Sequence, residues 1–247
     1  MRKRYDFTII LAGAMLWICG TATAQLDQLL KKVETASPSA NLPGMSLSDD
    51  KIVSGLKEAL TKSTGTAVAS TGRVDGYFKN QAIKILLPGP LETAGKGMRM
   101  VGMGAQLDDL ELSMNRAAEQ AAPAARQIFI DAIKKMSFED ARKILSGGNT
   151  AATDYFKKTS STDLTHAFTP IVHKAMENVG LIAKFNQVTK SSAAAPLLAG
   201  QNFNLDNYVV GKALDGLFYM LGQEEKQIRT NPAAQTTALL KEVFGKK

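Results

Sequence analysis

The sequence has 247 residues, 45% of them hydrophobic, and a formal net charge of +7. This length suits one large domain or two small ones. No run of 18 apolar residues follows position 24, so no later membrane span is expected. Without the basic residues and Asp6 of the first 24 positions the charge falls to +5. Such a mild excess, spread along the chain, favours a basic protein that is merely soluble, with anionic lipid headgroups or acidic polymers as the alternative electrostatic partners.

The first 24 residues have the pattern of a secretory signal peptide. Residues 2–4 are basic, residues 7–18 are almost entirely apolar, and residues 22–24 (ATA) form a cleavage site of small residues. The apolar stretch is shorter than the roughly 20 residues that a spanning helix needs. We therefore expect cleavage after residue 24 and a periplasmic or secreted mature protein. Cleavage also removes Cys19, the only cysteine, so the mature chain has no disulfide and no thiolate ligand.

Apolar residues recur at helical spacing along the rest of the chain. Residues 25–35 predict a short amphipathic helix and residues 36–46 a linker, so the main domain is expected at residues 47–247. Within it, helices are predicted near residues 48–60, 106–122, 128–136, 138–145, 150–156, 161–179, 181–189, 206–230 and 233–244. Residues 63–72 are expected to end or fray the first of these, and residues 82–87 are a strand candidate too isolated to build a sheet. The pattern predicts an all-α fold, a single irregular bundle of about ten helices.

Several stretches resemble one bacterial family. They are residues 111–119 (ELSMNRAAE), 136–141 (MSFEDA), 147–156 (GGNTAATDYF), 212–218 (KALDGLF) and 224–234 (EEKQIRTNPAA). Over roughly residues 47–245 the chain resembles the family known as domain of unknown function 4197. The resemblance implies an exported helical protein and implies no activity. Residues 95–104 are less typical of the family, so a site built there would be peculiar to this chain.

Asp215 lies within the most apolar predicted helix. A helix that is apolar on nearly every face is normally buried, and a buried carboxylate needs a cation or several hydrogen-bond donors. Lys212, one turn earlier, and Arg116 are the candidate cations. We expect Asp215 to be buried in a structural ion pair, with a functional site carboxylate as the alternative.

Two further groups combine acidic side chains with arginine on a predicted helix face. The first consists of Glu111, Asn115, Arg116 and Glu119, and the second of Glu225 and Arg229. Two such helices facing each other would resemble a carboxylate cage for a metal, but neither histidine has a Glu three residues before it, as di-iron sites require. We therefore favour salt-bridged or solvated faces, expect no metal and leave catalytic residues unassigned.

Known catalytic motifs are lacking: the sequence has no nucleophile elbow, P-loop or H-E-x-x-H. His166 and His173 are two helical turns apart, too far for one metal ion. The three methionines of residues 98–103 have the spacing of copper-binding motifs, although a flexible connector is favoured. Residues 147–150 (GGNT) suit an anion at a helix N-terminus, or simply a helix stop followed by a cap.

Three classes of function remain open. The first is an exported non-catalytic envelope protein that binds a lipid or another apolar ligand between its helices. The second, ranked nearly equal, is an interaction or assembly protein of the periplasm that presents an exposed apolar surface to an envelope partner. The third and least favoured is an enzyme with a buried carboxylate site. No cofactor and no nucleic-acid partner are expected.

Overall fold

The computed structural model describes residues 49–100, 102, 104–178, 204–235 and 241, all of them within the unit Leu47–Lys247. The predicted signal peptide, the helix of residues 25–35 with its linker and the helix of residues 181–189 lie outside the described residues. So does most of the helix predicted at residues 233–244.

Seven α-helices and two short 3-10 turns form the described part of the chain, which contains no strand. The helices are α1 (Asp49–Gly72), α2 (Gly89–Met100), α3 (Gly104–Ala121), α4 (Ala125–Lys135), α5 (Phe138–Ser146), α6 (Ala151–Asn178) and α7 (Leu205–Thr230). The 3-10 turns are Ala122–Ala124 and Pro232–Ala234. The all-α prediction is confirmed. The described residues hold seven helices against about ten expected for the whole chain, three of which were predicted wholly or mostly outside the described residues.

Helix α1 continues through residues 63–72, where an end or fraying was predicted. The hydroxyl of Thr64 donates to the carbonyl of Leu60 at 2.7 Å, and that of Thr71 donates to Ala67 at 2.8 Å. Because these hydroxyls bond to the helix's own backbone, small polar residues are buried along this face without an unpaired group. The prediction was wrong because it weighed Ser, Thr and Gly as helix breakers and could not see the packing around them.

Helix α6 unites two helices that the sequence pattern separates at residues 157–160. Thr159 and Ser161 donate to the carbonyls of the residues four positions earlier, and Ser160 is buried. The helix also runs through Pro170. Tertiary packing therefore overrides the local polar signal, and one helix stands where two were predicted.

Helix α7 packs against α1, α3 and α6, and apolar side chains from these helices share a large core. Phe129 of α4 lies edge-on to Phe156 and Phe218, with ring centroids 5.1 Å and 6.2 Å apart. Burying a phenylalanine side chain stabilises a fold by about 1.5–3 kcal/mol. Among the described residues, no helix combines the length and apolar character needed to cross a membrane.

Residues 95–100, predicted as part of a flexible connector, belong to helix α2. Arg99 pairs with Asp108 at 2.6 Å and so joins α2 to α3. Met100 is exposed, while the side chains of Met98 and Met103 lie outside the described residues. The copper-binding alternative, which was not the favoured interpretation, is therefore untested.

Residues 82–87, which we call the 82–87 segment, form no strand but keep the alternation of one. Ile83, Ile85 and Leu87 are buried, whereas Lys84 and Leu86 are more exposed. Side chains that alternate in this way are typical of an extended backbone. The segment lies between α1 and α2 in the chain and approaches both α3 and α7 through the contacts described next.

Candidate functional site

Helix α3 holds the loop between α1 and α2 through its polar face. Glu111, Asn115 and Glu119 follow one another at intervals of four residues, and all three contact residues 77–85. The sequence placed these side chains on one face correctly, since side chains four apart lie above one another on a helix. Asn115 and Glu119 bind backbone groups of this loop, and Glu111 pairs with the side chain of Lys84.

Glu119 is 4% exposed, and both of its carboxylate oxygens are engaged. Oε1 accepts the backbone N–H groups of Tyr77 and Phe78, each at 3.1 Å. Oε2 accepts from Arg116 at 2.6 Å, and Arg116 also donates to Asp75 at 2.6 Å. We call Glu119 and Arg116 the Glu119 clamp, because together they fix the turn that follows α1.

Asp75 has a φ of 65°, a left-handed backbone conformation that is costly for a residue with a Cβ. Its carboxylate lies 2.8 Å from Lys79 and 2.6 Å from Arg116. Hydrogen bonds from Lys79 and then from Arg116 hold the pKa of Asp75 below its usual value. These ion pairs help to hold the turn in its strained conformation.

Asn115 pairs with the backbone of Ile85 as a neighbouring β-strand would. Its Oδ1 accepts the Ile85 N–H at 2.8 Å, and its Nδ2 donates to the Ile85 carbonyl at 2.8 Å. This exchange copies one hydrogen-bonded pair of an antiparallel ladder. Beside it, Lys84 lies 2.6 Å from Glu111. The side chain of Asn115 thus takes the place beside Ile85 that a second strand would have in a sheet.

Glu225 caps the N-terminus of α6 from the neighbouring helix α7. Its carboxylate accepts the N–H groups of Ala152 and Thr153, both at 2.9 Å, and the Thr153 hydroxyl at 2.8 Å. Arg229 donates to Glu225 at 2.9 Å and to the carbonyl of Ile144 in the last turn of α5 at 2.8 Å. We call Glu225 and Arg229 the Glu225 clamp, since they join α5, α6 and α7.

Residues 147–150 precede a helix N-terminus that holds an anion, the less favoured of the two interpretations of their sequence. The anion is the Glu225 carboxylate of the same chain. A carboxylate at this position also interacts favourably with the positive end of the helix dipole. The cavity next to Glu225 measures about 10 Å³, enough for about one water molecule. This N-terminus is therefore already occupied.

The two clamps hold different parts of the fold. Glu119 binds the backbone of residues 77–78, and Glu225 binds that of residues 152–153. Each clamp contains an ion pair within its own helix, Arg116 with Glu119 at 2.6 Å and Arg229 with Glu225 at 2.9 Å. Across the ranges that the structure describes, no group of three or more His, Cys, Asp or Glu side chains is placed to hold a metal ion.

Asp215 is not buried, contrary to the prediction: its side chain is 75% exposed. Its neighbour Lys212 lies 3.7 Å away, while Arg116 is engaged by Asp75 and Glu119. The prediction failed because Asp215 belongs to an exposed stripe of α7 that also carries Tyr219. An aromatic residue on the exposed stripe made the helix look apolar on every face.

A groove of about 280 Å³, open to solvent, runs between the 82–87 segment and this exposed stripe of α7. It is lined by Ala82, Ile83, Lys84, Ile85, Lys212, Asp215, Gly216 and Tyr219. The lining combines apolar side chains with charged groups of both signs. Of the residues proposed from the sequence, Asp215 and its candidate cation Lys212 line it.

Gly216 allows the loop after α1 to approach α7 closely. A Cβ at this position would lie 2.6 Å from the ring of Tyr77 and 3.1 Å from Ile83. Tyr77 is fully buried, and its hydroxyl donates to the carbonyl of Ala213 at 2.6 Å. Burial raises the pKa of the Tyr77 phenol, which keeps it protonated as a donor. The groove therefore has a wall fixed by close packing.

His173 and Asp206 connect α6 to the first turn of α7, a contact that the sequence pattern did not indicate. Nδ1 of His173 lies 2.6 Å from Asp206, and Nε2 lies 3.2 Å from Glu177. The hydrogen bond to Asp206, followed by the charge of Glu177, raises the pKa of His173. The only signal for the contact was an acidic residue in a first helical turn, where the helix dipole favours it.

The sequence matches the family model described as a protein of unknown function, DUF4197, over residues 46–245. The chain belongs to this family. No curated protein and no solved structure matches it. The DUF4197 match spans all seven helices and so includes both clamps and the groove. Two stretches that carried the resemblance, residues 111–119 and 224–234, contain the paired Glu and Arg residues of the clamps.

Proposed function

We propose that the mature DUF4197 chain is an exported, non-catalytic binding protein of the bacterial envelope, and that the groove beside α7 is its binding surface. The signal-peptide pattern of residues 1–24 supports export. The groove is the observation that carries the binding role, because it is a recess with apolar and charged groups side by side. Ligand sites generally combine an apolar lining with a few polar groups that set orientation.

The dimensions of the groove suit a ligand that is only partly enclosed. Its volume of about 280 Å³ lies near the lower end of the range for ligand pockets. Tyr219 is 46% exposed along the groove, and Leu86, next to its rim, is 52% exposed. Exposed aromatic and aliphatic side chains beside a recess are a common feature of interaction sites. These features support an envelope partner as much as a small apolar or lipid ligand.

The bonding of the buried carboxylates supports a non-catalytic role. Glu119 and Glu225 are the buried acidic residues of the clamps. Both oxygens of each carboxylate accept hydrogen bonds, which come from backbone N–H groups and an arginine. A general acid or base needs an oxygen that can reach a substrate proton. Burial raises the pKa of Glu224, but this residue lines neither the groove nor the cavity beside Glu225.

Site-specific photo-crosslinking in the producing cell tests this proposal. A benzoylphenylalanine placed at position 219 is expected to capture a ligand, whereas one at Phe138, an aromatic of similar exposure on α5, is not. A protein-sized shift on a gel identifies a partner, and a mass increase equal to that of a lipid identifies an apolar ligand. Capture at Phe138 with equal yield, or no capture at position 219, would overturn the groove as the binding surface.

A further inference from the structure

The 82–87 segment presents backbone groups toward α7. In an extended chain, the N–H and C=O of one residue face the same side, and those of the next residue face the opposite side. Because Ile85 gives both of its groups to Asn115 on α3, the groups of Lys84 and Leu86 face away from α3. The hydroxyl of Tyr208 on α7 donates to the Leu86 carbonyl at 3.0 Å, in agreement with this direction.

Two of these four backbone groups have no partner within the described part of the chain. The Lys84 N–H donates to the Asn80 carbonyl at 2.8 Å, and the Leu86 carbonyl accepts from Tyr208. The Lys84 carbonyl and the Leu86 N–H make no hydrogen bond to any described residue. They are an acceptor and a donor, two residues apart on one edge of the segment. One residue of a parallel strand would donate its N–H to the acceptor and receive the donor at its C=O.

We propose that the groove accepts an extended segment of a partner polypeptide, which adds alongside residues 84–86 as a short parallel strand. This inference rests on the proposed function and names the occupant of the same groove. One residue of the partner donates its N–H to the Lys84 carbonyl and accepts the Leu86 N–H at its own carbonyl. Its neighbours in the partner place side chains against Gly216 and Tyr219, which line the groove.

The charges of the groove favour a polypeptide over an anionic lipid headgroup. Lys84 is paired with Glu111 at 2.6 Å, and Lys212 faces Asp215 at 3.7 Å. Each lysine of the rim therefore already has a carboxylate neighbour, which weakens the attraction for a phosphate. Backbone hydrogen bonds, in contrast, are offered to any extended chain, and pockets for alternate side chains add selectivity.

The test uses a random eight-residue peptide library displayed on phage, selected on the mature protein and counter-selected on its Tyr219→Glu variant. Selected peptides are synthesised, and their affinities are measured for the wild type, Leu86→Pro and Leu86→Ala. Leu86→Pro removes the N–H donor, and Leu86→Ala removes the side chain but keeps the donor. We expect binding to Leu86→Pro to be about three- to tenfold weaker than binding to Leu86→Ala, the effect of one hydrogen bond.

A second measurement leaves the protein unchanged. Methylating the peptide nitrogens one at a time is expected to weaken binding at one central position, and bound peptide is expected to slow hydrogen exchange at the Leu86 amide. Failure of selection, equal binding to both Leu86 variants with no protection of the Leu86 amide, or tolerance of every methylation would overturn strand addition. If crosslinking at position 219 still succeeds in that case, the proposed function stands and only the identity of its ligand changes.

Discussion

Glu225 and Arg229 form a buried ion pair, 2.9 Å long with side chains 4% and 7% exposed, that joins the end of one helix to the start of the next. The carboxylate receives the first N–H groups of α6, and the guanidinium reaches a carbonyl in the last turn of α5. Both charges therefore sit at the helix end that the dipole favours. The short connection between α5 and α6 is held by a third helix.

Replacing Glu225 with alanine is expected to destabilise the fold strongly. The change removes the carboxylate from the buried Arg229 charge and leaves N–H groups at the start of α6 unpaired, for which we expect a loss of about 3–5 kcal/mol. Urea unfolding followed by circular dichroism measures it. Glu139→Ala is the control, because it removes an exposed i,i+4 pair with Lys143. Equal losses from both substitutions would contradict a structural clamp.

Asn115→Ala is expected to release the 82–87 segment from α3. The substitution leaves the N–H and C=O of Ile85 without their partners, and an unsatisfied buried group costs about 1–3 kcal/mol. Hydrogen exchange at the Ile85 amide should become faster, while exchange in the centre of α6 should change little. Ser113→Ala, on the same helix but exposed, provides the comparison. Unaltered Ile85 exchange would show that the amide pairing is unimportant.

Two glycines of α7 are expected to respond to alanine in opposite directions. At Gly216 a Cβ would lie 2.6 Å from Tyr77, so Gly216→Ala should destabilise the protein by about 1–3 kcal/mol through overpacking. At Gly211 no atom lies within 4 Å of the added Cβ, and alanine should stabilise the helix by up to about 1 kcal/mol. Thermal unfolding of the two variants measures both changes in stability. If both substitutions changed the melting temperature in the same direction, the close approach of Tyr77 to Gly216 would be refuted.

The contact between His173 and Asp206 predicts a pH dependence of stability. Because the folded-state pKa of His173 is raised, its contribution is fully present below the unfolded value of about 6.5 and disappears as the pH rises through the folded value. Histidine NMR titration should place His173 above 6.5. The urea midpoint of unfolding should fall as the pH rises from about 6.5 through the folded-state pKa of His173. His173→Gln should reduce this dependence of the midpoint on pH. A titration at or below 6.5 would exclude the ion pair in solution.

Local patterns predicted the all-α class and the shared face of α3, but they missed α2, ended α1 too early and divided α6. The spacing of Glu111, Asn115 and Glu119 put them on one side of α3, where all three contact residues 77–85. Such relations depend only on helical geometry, which repeats every 3.6 residues. They are visible in a sequence because both partners lie within one or two turns.

The partners of the polar residues could not be predicted from the sequence. Glu225 meets Ala152 across 73 positions, and Glu119 meets Tyr77 across 42, so no periodicity connects them. The same limit produced the error at Asp215, because the exposed stripe of α7 is set by which faces α1, α3 and α6 cover. Composition around a residue indicates how apolar its helix is but does not specify which side stays open.

Native mass spectrometry of the mature protein, purified from its own envelope, tests the binding role of the groove most directly. We predict a bound species that is retained by the wild type and by Phe138→Glu and is lost from Tyr219→Glu, since Tyr219 lines the groove and Phe138 lies on α5. A wild-type protein that carries nothing, or a bound species that survives Tyr219→Glu, would contradict the assignment of this groove as the binding surface.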